Sequence, residues 1–178
     1  MGPNSKLKPT KEFRISKRNL PQFELPGSLY FITFSTIDRF TLSDPAKDIV
    51  LSSFHFHNGK KYLLHTCIVM DDHVHCILQP MQITNNTQAG TPVLLVRRTQ
   101  EYYSLAQITH SFKSYSDNRI QTMIDLQTRV WQDEIVDRII RDEKEYRQKM
   151  NYILNNAPKI GLVENPEDYK WLFIMKPN

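Results

Sequence analysis

Two apolar runs separated by an acidic pair constrain the fold of this chain more than any other feature. The runs cover residues 61–70 and 73–79, and their side chains alternate between two faces as in β-strands. The connection between them, Asp71 and Asp72, is short enough for a tight turn. The sequence therefore predicts a β-hairpin whose second strand lies inside a sheet.

Two histidines open the second strand of this hairpin. Because side chains alternate along a strand, His73 and His75 point to one face and Val74 to the other. Two neutral imidazoles side by side can bind a divalent cation. The alternative is a pair of ordinary hydrogen-bonded strand residues, since His-x-His also arises by chance. We exclude His55 and His57 as a second site because they fall in a predicted helix, where their side chains point about 200° apart.

The remaining periodic segments alternate between strand and helix patterns. In chain order, the sequence predicts a strand at 28–37, a helix at 44–58, strands at 61–70 and 73–79, a helix at 104–124, a strand at 129–140 and a helix at 142–154. This order favours an α+β fold of the ferredoxin-like or RRM-like type. Its sheet is open and antiparallel, with helices on one face and an extra C-terminal helix. We expect Trp171, Leu172 and Phe173 to pack back on the domain.

Length and charge indicate how the chain is divided. With 178 residues, it has the size of one domain with a sizeable core. The net charge of +4 is uneven, since six Lys and Arg residues among the first 18 are opposed only by Glu12. We therefore predict a basic arm at 1–27 and a single domain at 28–178. The arm is expected either to follow phosphates or to remain a solvated tail.

Apolar content and cysteine usage indicate the compartment. No apolar run approaches the roughly 20 residues of a membrane span. No charged-then-apolar signal segment opens the chain, so we expect a cytoplasmic protein. Cys67 and Cys76 both lie in apolar strand patterns, which predicts buried, reduced thiols.

The segment 80–103 breaks every regular pattern. A loop of this length in a compact domain is usually functional or mobile. It carries Arg97 and Arg98 and ends in Tyr102 and Tyr103. The two tyrosines have two interpretations, either stacking partners for bases or a hydrophobic staple entering the next helix.

Tyr115 is the notable residue of the predicted second helix. It lies three residues after Phe112, which by spacing alone indicates an ordinary amphipathic core tyrosine. Lys113, Asn118 and Arg119 nevertheless bring cations and an amide close to its phenol.

Five ordered blocks of the sequence resemble the REP-associated tyrosine transposases, relatives of the small insertion-sequence transposases with a single catalytic tyrosine. They comprise residues 20–21 and 25–34, 69–75, 103–105 and 110–115, 130–132 and 137–142, and 152–156. Within the second block this chain has Met-Asp-Asp-His-Val-His, where the family usually has Met-Pro-Asn-His-Val-His. The resemblance covers most of the chain.

The resemblance implies an HUH-type endonuclease and strand transferase for single-stranded DNA. Such a transposase cleaves near hairpin or REP-like repeats through a covalent 5′-phosphotyrosine. His73 and His75 would be ligands of Mg²⁺ or Mn²⁺, and Tyr115 would be the nucleophile.

The third metal ligand is where the sequence departs from the family. In related enzymes this ligand follows the tyrosine by about one helical turn. Arg119, four residues after Tyr115, cannot bind a cation. We therefore expect Asn118 to replace it, while Asp71 or Asp72 would offer a carboxylate ligand.

The resemblance also implies partners. These are single-stranded or hairpin DNA and a second copy of the chain in a homodimer, with nucleoid association and no membrane. The candidate phosphate contacts are basic side chains, namely Arg14, Lys17, Arg18, Arg97, Arg98, Lys113, Arg119, Arg138 and Arg141. The alternative for each is a solvated surface charge.

Two further classes of function stay open on the sequence. One is a binding protein for structured DNA or RNA that has lost cleavage, which Arg119 makes conceivable. The other is a metal-independent RNA-binding module that shares the open sheet.

Overall fold

The computed structural model describes residues 14–16, 22–83 and 101–176 of the chain. A short antiparallel pair, β1 (Arg14–Ser16) and β2 (Gln22–Glu24), precedes the main sheet. The sheet contains β3 (Tyr30–Ser35), β4 (Tyr62–Val69), β5 (His73–Pro80), β6 (Val136–Ile139) and β7 (Leu172–Ile174). Its strand order is β6-β3-β5-β4-β7, and all neighbours are antiparallel. The helices are α1 (Asp44–His57), α2 (Leu105–Ile124), α3 (Glu143–Leu154) and the short α4 (Asn156–Lys159).

The predicted hairpin is present at the centre of the sheet. Strands β4 and β5 pair up to Val69 opposite Val74, and the Met70 amide donates to the His73 carbonyl at 2.8 Å. Cys67 and Cys76 face each other across the two strands as buried free thiols, as predicted. Burial raises the pKa of both thiols, which keeps them protonated.

Helices α1 and α2 cover one face of the sheet. The Phe112 ring of α2 lies 4.4 Å from Phe54 of α1 and 5.4 Å from Phe34 of β3, measured between ring centroids. Helix α2 begins with a capping box in which the Ser104 side chain accepts from the Gln107 amide. The apolar stripe predicted for α2 therefore does form the core on this face.

Helix α3 covers the opposite face. Its Ile153 is fully buried, and its Tyr146 ring lies 5.7 Å from His65 of β4. The Asp142 side chain caps its first turn by accepting from the Glu145 amide. The predicted fold, with helices on one face and an extra C-terminal helix, is confirmed. The structure adds that the extra helix lies across the second face.

The predicted fourth strand is much shorter than expected. Instead of 129–140, only Val136–Ile139 forms a regular strand beside β3. The residues before it run beside the end of β3 and pair with it only at isolated positions, such as the bridge between Thr36 and Trp131. The Trp131 indole is buried and donates to Ser116 Oγ at 2.9 Å. This contact anchors the segment before β6 to α2.

Both ends of the described domain are tied to the sheet. The C-terminal tail forms β7 beside β4, as its apolar residues suggested. At the other end, Leu25 exchanges hydrogen bonds with the Tyr30 hydroxyl, and Gln79 Nε2 donates to the Gly27 carbonyl at 2.8 Å. The last residues of the segment assigned to the basic arm therefore contact the domain.

The base of the long segment after β5 is also paired. The Tyr103 amide donates to the Met81 carbonyl, and the Ile83 amide to the Glu101 carbonyl. Residues 84–100, including Arg97 and Arg98, lie outside the described part. Within that part, no helix is both long enough and apolar enough to cross a membrane.

Candidate functional site

The two histidines of β5 lie together on the face that α3 covers. Their ring centroids are 4.8 Å apart, with the ring planes inclined by 70°. On β3, Thr33 stands opposite His75 and Ser35 opposite His73. Strand alternation thus gives the shared face that the sequence predicted.

Each imidazole is held through its Nδ1 atom. His73 Nδ1 lies 2.6 Å from Asp72 Oδ1, and because a carboxylate only accepts, this nitrogen carries the proton. His75 Nδ1 lies 2.7 Å from Thr33 Oγ1. In the tautomer in which His75 Nδ1 also carries the proton and donates to Thr33, both Nε2 atoms carry a lone pair. Partners of this kind orient imidazoles that bind metals.

Burial and neighbouring charges set the pKa values of the site. Burial first, and then the nearby charges of His73 and Lys149, together lower the pKa of His75 to about 3, so its ring is neutral at physiological pH. Burial alone would raise the pKa of the Asp72 carboxyl. Hydrogen bonds and charge from His73 and Arg39 outweigh burial and lower it. Asp72 is therefore ionised beside the two imidazoles.

Tyr152 of α3 is the tyrosine next to this pair. Its hydroxyl lies 3.4 Å from His75 Nε2, and its ring centroid is 5.0 Å from that of His75. Phe31 stacks on His75 at 5.6 Å, and the Lys149 ammonium lies 4.5 Å from the Phe31 ring. With 52% of its surface exposed, Tyr152 is both anchored to the pair and open to a ligand.

A cleft opens between the histidines and the end of α3. It is lined by His73, Gln148, Asn151, Tyr152, Asn155, Asn156, Lys159 and Ile160. These side chains include four carboxamides and no carboxylate. Across the described ranges, no group of three or more His, Cys, Asp or Glu residues is placed to hold a metal ion. Any cation at the histidines would therefore need carboxamide, water or phosphate oxygens to complete its shell.

Tyr115 and Asn118 are not part of this site. The prediction that they lie close to the histidines is therefore wrong for a single chain. Helix α2 docks through Phe112 onto Phe34 of β3. Phe34 points to the face opposite Thr33 and hence opposite His75. Tyr115 is 48% exposed on the outer side of that layer, so its phenol is separated from the imidazoles by the sheet.

The acidic pair is engaged within the protein rather than aimed at the cleft. Asp71 Oδ1 accepts from the nearly buried Lys47 ammonium at 2.9 Å. Asp72 bridges His73 and Arg39. The predicted carboxylate ligand is therefore not found at either position.

The basic residues predicted to contact phosphates are spread over the molecule. Arg138 stands opposite Phe31 on the histidine face and pairs with Glu145, and the nearby Arg141 is exposed. Lys113 donates to the Gln132 carbonyl on the α2 side, and Arg119 is exposed there. Lys17, Arg18 and the Arg14 side chain lie outside what is described.

The two tyrosines before α2 are partly buried. Tyr102 lies against Gly27, where a Cβ would come within 3.1 Å of its ring. Tyr103 packs against the core. These contacts favour the packing interpretation of the pair over base stacking.

Sequence reasoning missed Tyr152 because the family resemblance was used to assign Tyr115 as the nucleophile. One signal was available. Tyr152 lies outside the apolar stripe of its helix and is followed within four residues by Asn155 and Asn156.

The chain is an α+β protein with an open antiparallel sheet. An inner strand carries the paired histidines, and a helix places a tyrosine beside them. This fold is similar to that of a solved REP-associated tyrosine transposase bound to a REP hairpin, with a TM-score of 0.64 at 16% identity. The match covers 88% of this chain and 82% of that one. A putative transposase from Deinococcus radiodurans R1 aligns over 79% of this chain and 95% of its own, with 19% identity and a TM-score of 0.43. No family model and no curated protein sequence matches the chain.

Proposed function

We propose that this protein is a transposase of the single-tyrosine type, a metal-dependent endonuclease and strand transferase for single-stranded DNA. The observation that carries the proposal is the 3.4 Å contact between the Tyr152 hydroxyl and His75 Nε2. It joins a partly exposed nucleophile to two oriented imidazoles in one cleft. The fold similarity to a transposase bound to a REP hairpin supports hairpin-bearing DNA as the substrate.

The reaction assigned to Tyr152 is a phosphoryl transfer to its phenol oxygen. The Tyr152 Oη attacks the scissile phosphorus and forms the new O–P bond, and its proton passes to solvent. The bond from phosphorus to the 3′ oxygen breaks, and that oxygen takes up a proton and leaves as a 3′-hydroxyl. The 5′ phosphate stays on Tyr152, so a second 3′-hydroxyl can reverse the step without ATP.

The donor atoms of the cleft fit a divalent cation. With its proton on Nδ1 beside Asp72, His73 has an Nε2 lone pair for a ligand. His75 has one in the tautomer in which Nδ1 donates to Thr33, and the Tyr152 hydroxyl lies 3.4 Å from that Nε2 atom. Because Tyr152 replaces Tyr115 as the nucleophile, the ligand expected one helical turn later falls at Asn156, with Asn155 beside it. Paired imidazoles by themselves favour softer ions such as Zn²⁺, whereas amide, water and phosphate oxygens suit Mn²⁺ or Mg²⁺, the ions that the resemblance implies. When bound, the cation would polarise a phosphate oxygen and favour the ionised phenol.

Basic side chains on the same face complete the proposed DNA surface. Lys149 lies beside Tyr152, Lys159 lines the cleft and Arg138 borders the histidine face. Each would contact phosphates of the bound strand. The homodimer remains a prediction, which light scattering on the purified chain would test.

The alternative of a binding protein without cleavage now has less support. Its argument was Arg119, which replaces a metal ligand only if Tyr115 is the nucleophile. Arg119 lies on α2, across the sheet from the histidines.

The decisive experiment compares two tyrosines of similar exposure. The full chain is incubated with Mn²⁺ and a pool of 3′-labelled hairpin oligonucleotides, and the covalent adduct is measured on denaturing gels. Tyr152→Phe should abolish the adduct, whereas Tyr115→Phe should keep it near the wild-type level. An adduct that survives in Tyr152→Phe and disappears in Tyr115→Phe would contradict the proposal. Binding of the hairpins without any wild-type adduct would favour the binding protein.

A further inference from the structure

A strained turn lies directly beside the histidine pair. Asp38 and Arg39, in the short 3₁₀ segment after β3, have φ angles of 49° and 57°. Residues with a Cβ rarely adopt this left-handed conformation, and two in succession are unfavourable. Such strain persists only where surrounding contacts determine it, and it is frequent at functional sites.

Three hydrogen bonds attach this turn to the acidic pair before β5, and a fourth lies within the turn. The Thr36 amide and hydroxyl both donate to the Asp72 carbonyl, at 2.9 and 3.1 Å. The Thr36 hydroxyl also lies 2.7 Å from the Phe40 carbonyl, and the Leu42 amide donates to the Asp71 carbonyl at 2.6 Å. Thr36 is fully buried, so water does not compete for these contacts.

The turn places the Arg39 guanidinium beside one oxygen of the Asp72 carboxylate. Arg39 Nη1 donates to Asp72 Oδ2 at 3.0 Å, while Asp72 Oδ1 accepts from His73 Nδ1 at 2.6 Å. One carboxylate thus joins the guanidinium to the imidazole. Because the Arg39 side chain is 66% exposed, the ion pair by itself contributes little to stability.

We propose that Arg39 and Asp72 are positioning residues for His73. Arg39 fixes the rotamer of the Asp72 carboxylate, which fixes the His73 ring with its proton on Nδ1 and its Nε2 free for the cleft. The inference rests on the proposed metal-binding role of the histidine pair. An asparagine at position 72 would offer one carbonyl oxygen to His73 and no second anionic oxygen to a guanidinium, so the bridge requires the aspartate.

The test separates positioning from stability. Arg39→Gly removes the guanidinium and also relieves the positive φ, so its melting temperature should equal or exceed that of the wild type. Its Mn²⁺ affinity, measured by calorimetry on the full chain, should nevertheless fall about tenfold. In Asp72→Ala, the Mn²⁺ affinity should fall roughly ten- to a hundredfold, and in Asp72→Asn it should fall less. Lys170→Ala, which removes an exposed ion pair with Asp48, is the control and should bind as the wild type.

A second readout is independent of metal and of cleavage. The ¹⁵N shifts of the His73 imidazole, assigned with His73→Gln, report which nitrogen carries the proton. They should show protonated Nδ1 in the wild type and a mixture in Asp72→Ala. Unchanged shifts in Asp72→Ala, or wild-type Mn²⁺ affinity in both Arg39→Gly and Asp72→Ala, would overturn the proposal. If the wild type binds no Mn²⁺ but the shifts move, the proposed metal role fails and the positioning of His73 stands.

Discussion

The two imidazoles of the cleft depend on different partners. His73 has a carboxylate at Nδ1, whereas His75 has the hydroxyl of Thr33 and is the more buried ring. A hydroxyl partner adds no charge, so the low pKa of His75 follows from burial first and nearby cations second. The neutral state of His75 is therefore a property of where it lies in the sheet.

Thr33→Val tests this hydroxyl at nearly constant volume. We expect cleavage and Mn²⁺ affinity to fall about tenfold, because His75 loses the contact that orients its ring. Unfolding in urea should show a loss of about 1 kcal/mol for the hydrogen bond. Thr109→Val, a buried threonine on α2, is the control and should leave cleavage unchanged. Wild-type cleavage by Thr33→Val would rule out this role.

The choice between the two tyrosines could not be made at the level of single residues. Tyr115 and Tyr152 are both helical and both about half exposed. What differs is the face of the sheet against which each helix packs, and that depends on contacts far apart in sequence. The nearby carboxamides Asn155 and Asn156 were the one local hint.

Among the elements, β7 is a three-residue edge strand held by side chains as well as by its ladder. Trp171, just before it, donates to Asp48 Oδ1 at 2.8 Å, and Lys170 donates to the same carboxylate. These hydrogen bonds lower the pKa of Asp48. The carboxylate therefore couples α1 to the C-terminal strand.

Asp48→Asn should weaken this coupling. At neutral pH, we expect a loss of about 0.5–1 kcal/mol in urea unfolding, since the carboxylate is half exposed and screened. Because the folded-state pKa is depressed, the stabilisation is fully present above the usual value of 3.8 and is lost as the pH falls through the folded-state value. The difference between the two proteins should therefore shrink in acid. A constant difference across this range would show that charge is not the cause.

At the scale of the whole molecule, one face of the sheet forms most of the aromatic core and the other carries the proposed site. Helices α1 and α2 close one face over a cluster of stacked aromatic rings. Helix α3 closes the other face and supplies Tyr152. The site thus depends on the docking of α3, while most of the aromatic core lies on the opposite side.

Two fully buried isoleucines test this division. Ile153→Ala on α3 and Ile120→Ala on α2 should each cost about 2–5 kcal/mol in urea unfolding, because both leave a cavity. Only Ile153→Ala should also reduce adduct formation under conditions where both variants are folded, since it loosens the helix that carries Tyr152. Equal losses of adduct in the two variants would contradict the separation of tasks.

The sequence by itself determined the local parts of this protein. Alternating apolar runs around Asp71 and Asp72 specify the central hairpin, and the same period of two places His73 and His75 on one face. Helical periodicity and the polar residues at Ser104 and Asp142 specify α2 and α3. These features depend on neighbours within a few residues, so they can be recognised from sequence.

Only the tertiary structure decided which helix meets the histidines. Both faces of the sheet carry apolar residues that a helix can cover, and nothing local in α2 or α3 indicates which face each will cover. Packing of Phe112 against Phe34 and Phe54 assigned α2 to one side, and burial of Ile153 assigned α3 to the other. Tyr152 rather than Tyr115 faces His75 because burying apolar surface on both sides of one sheet is a property of the whole chain.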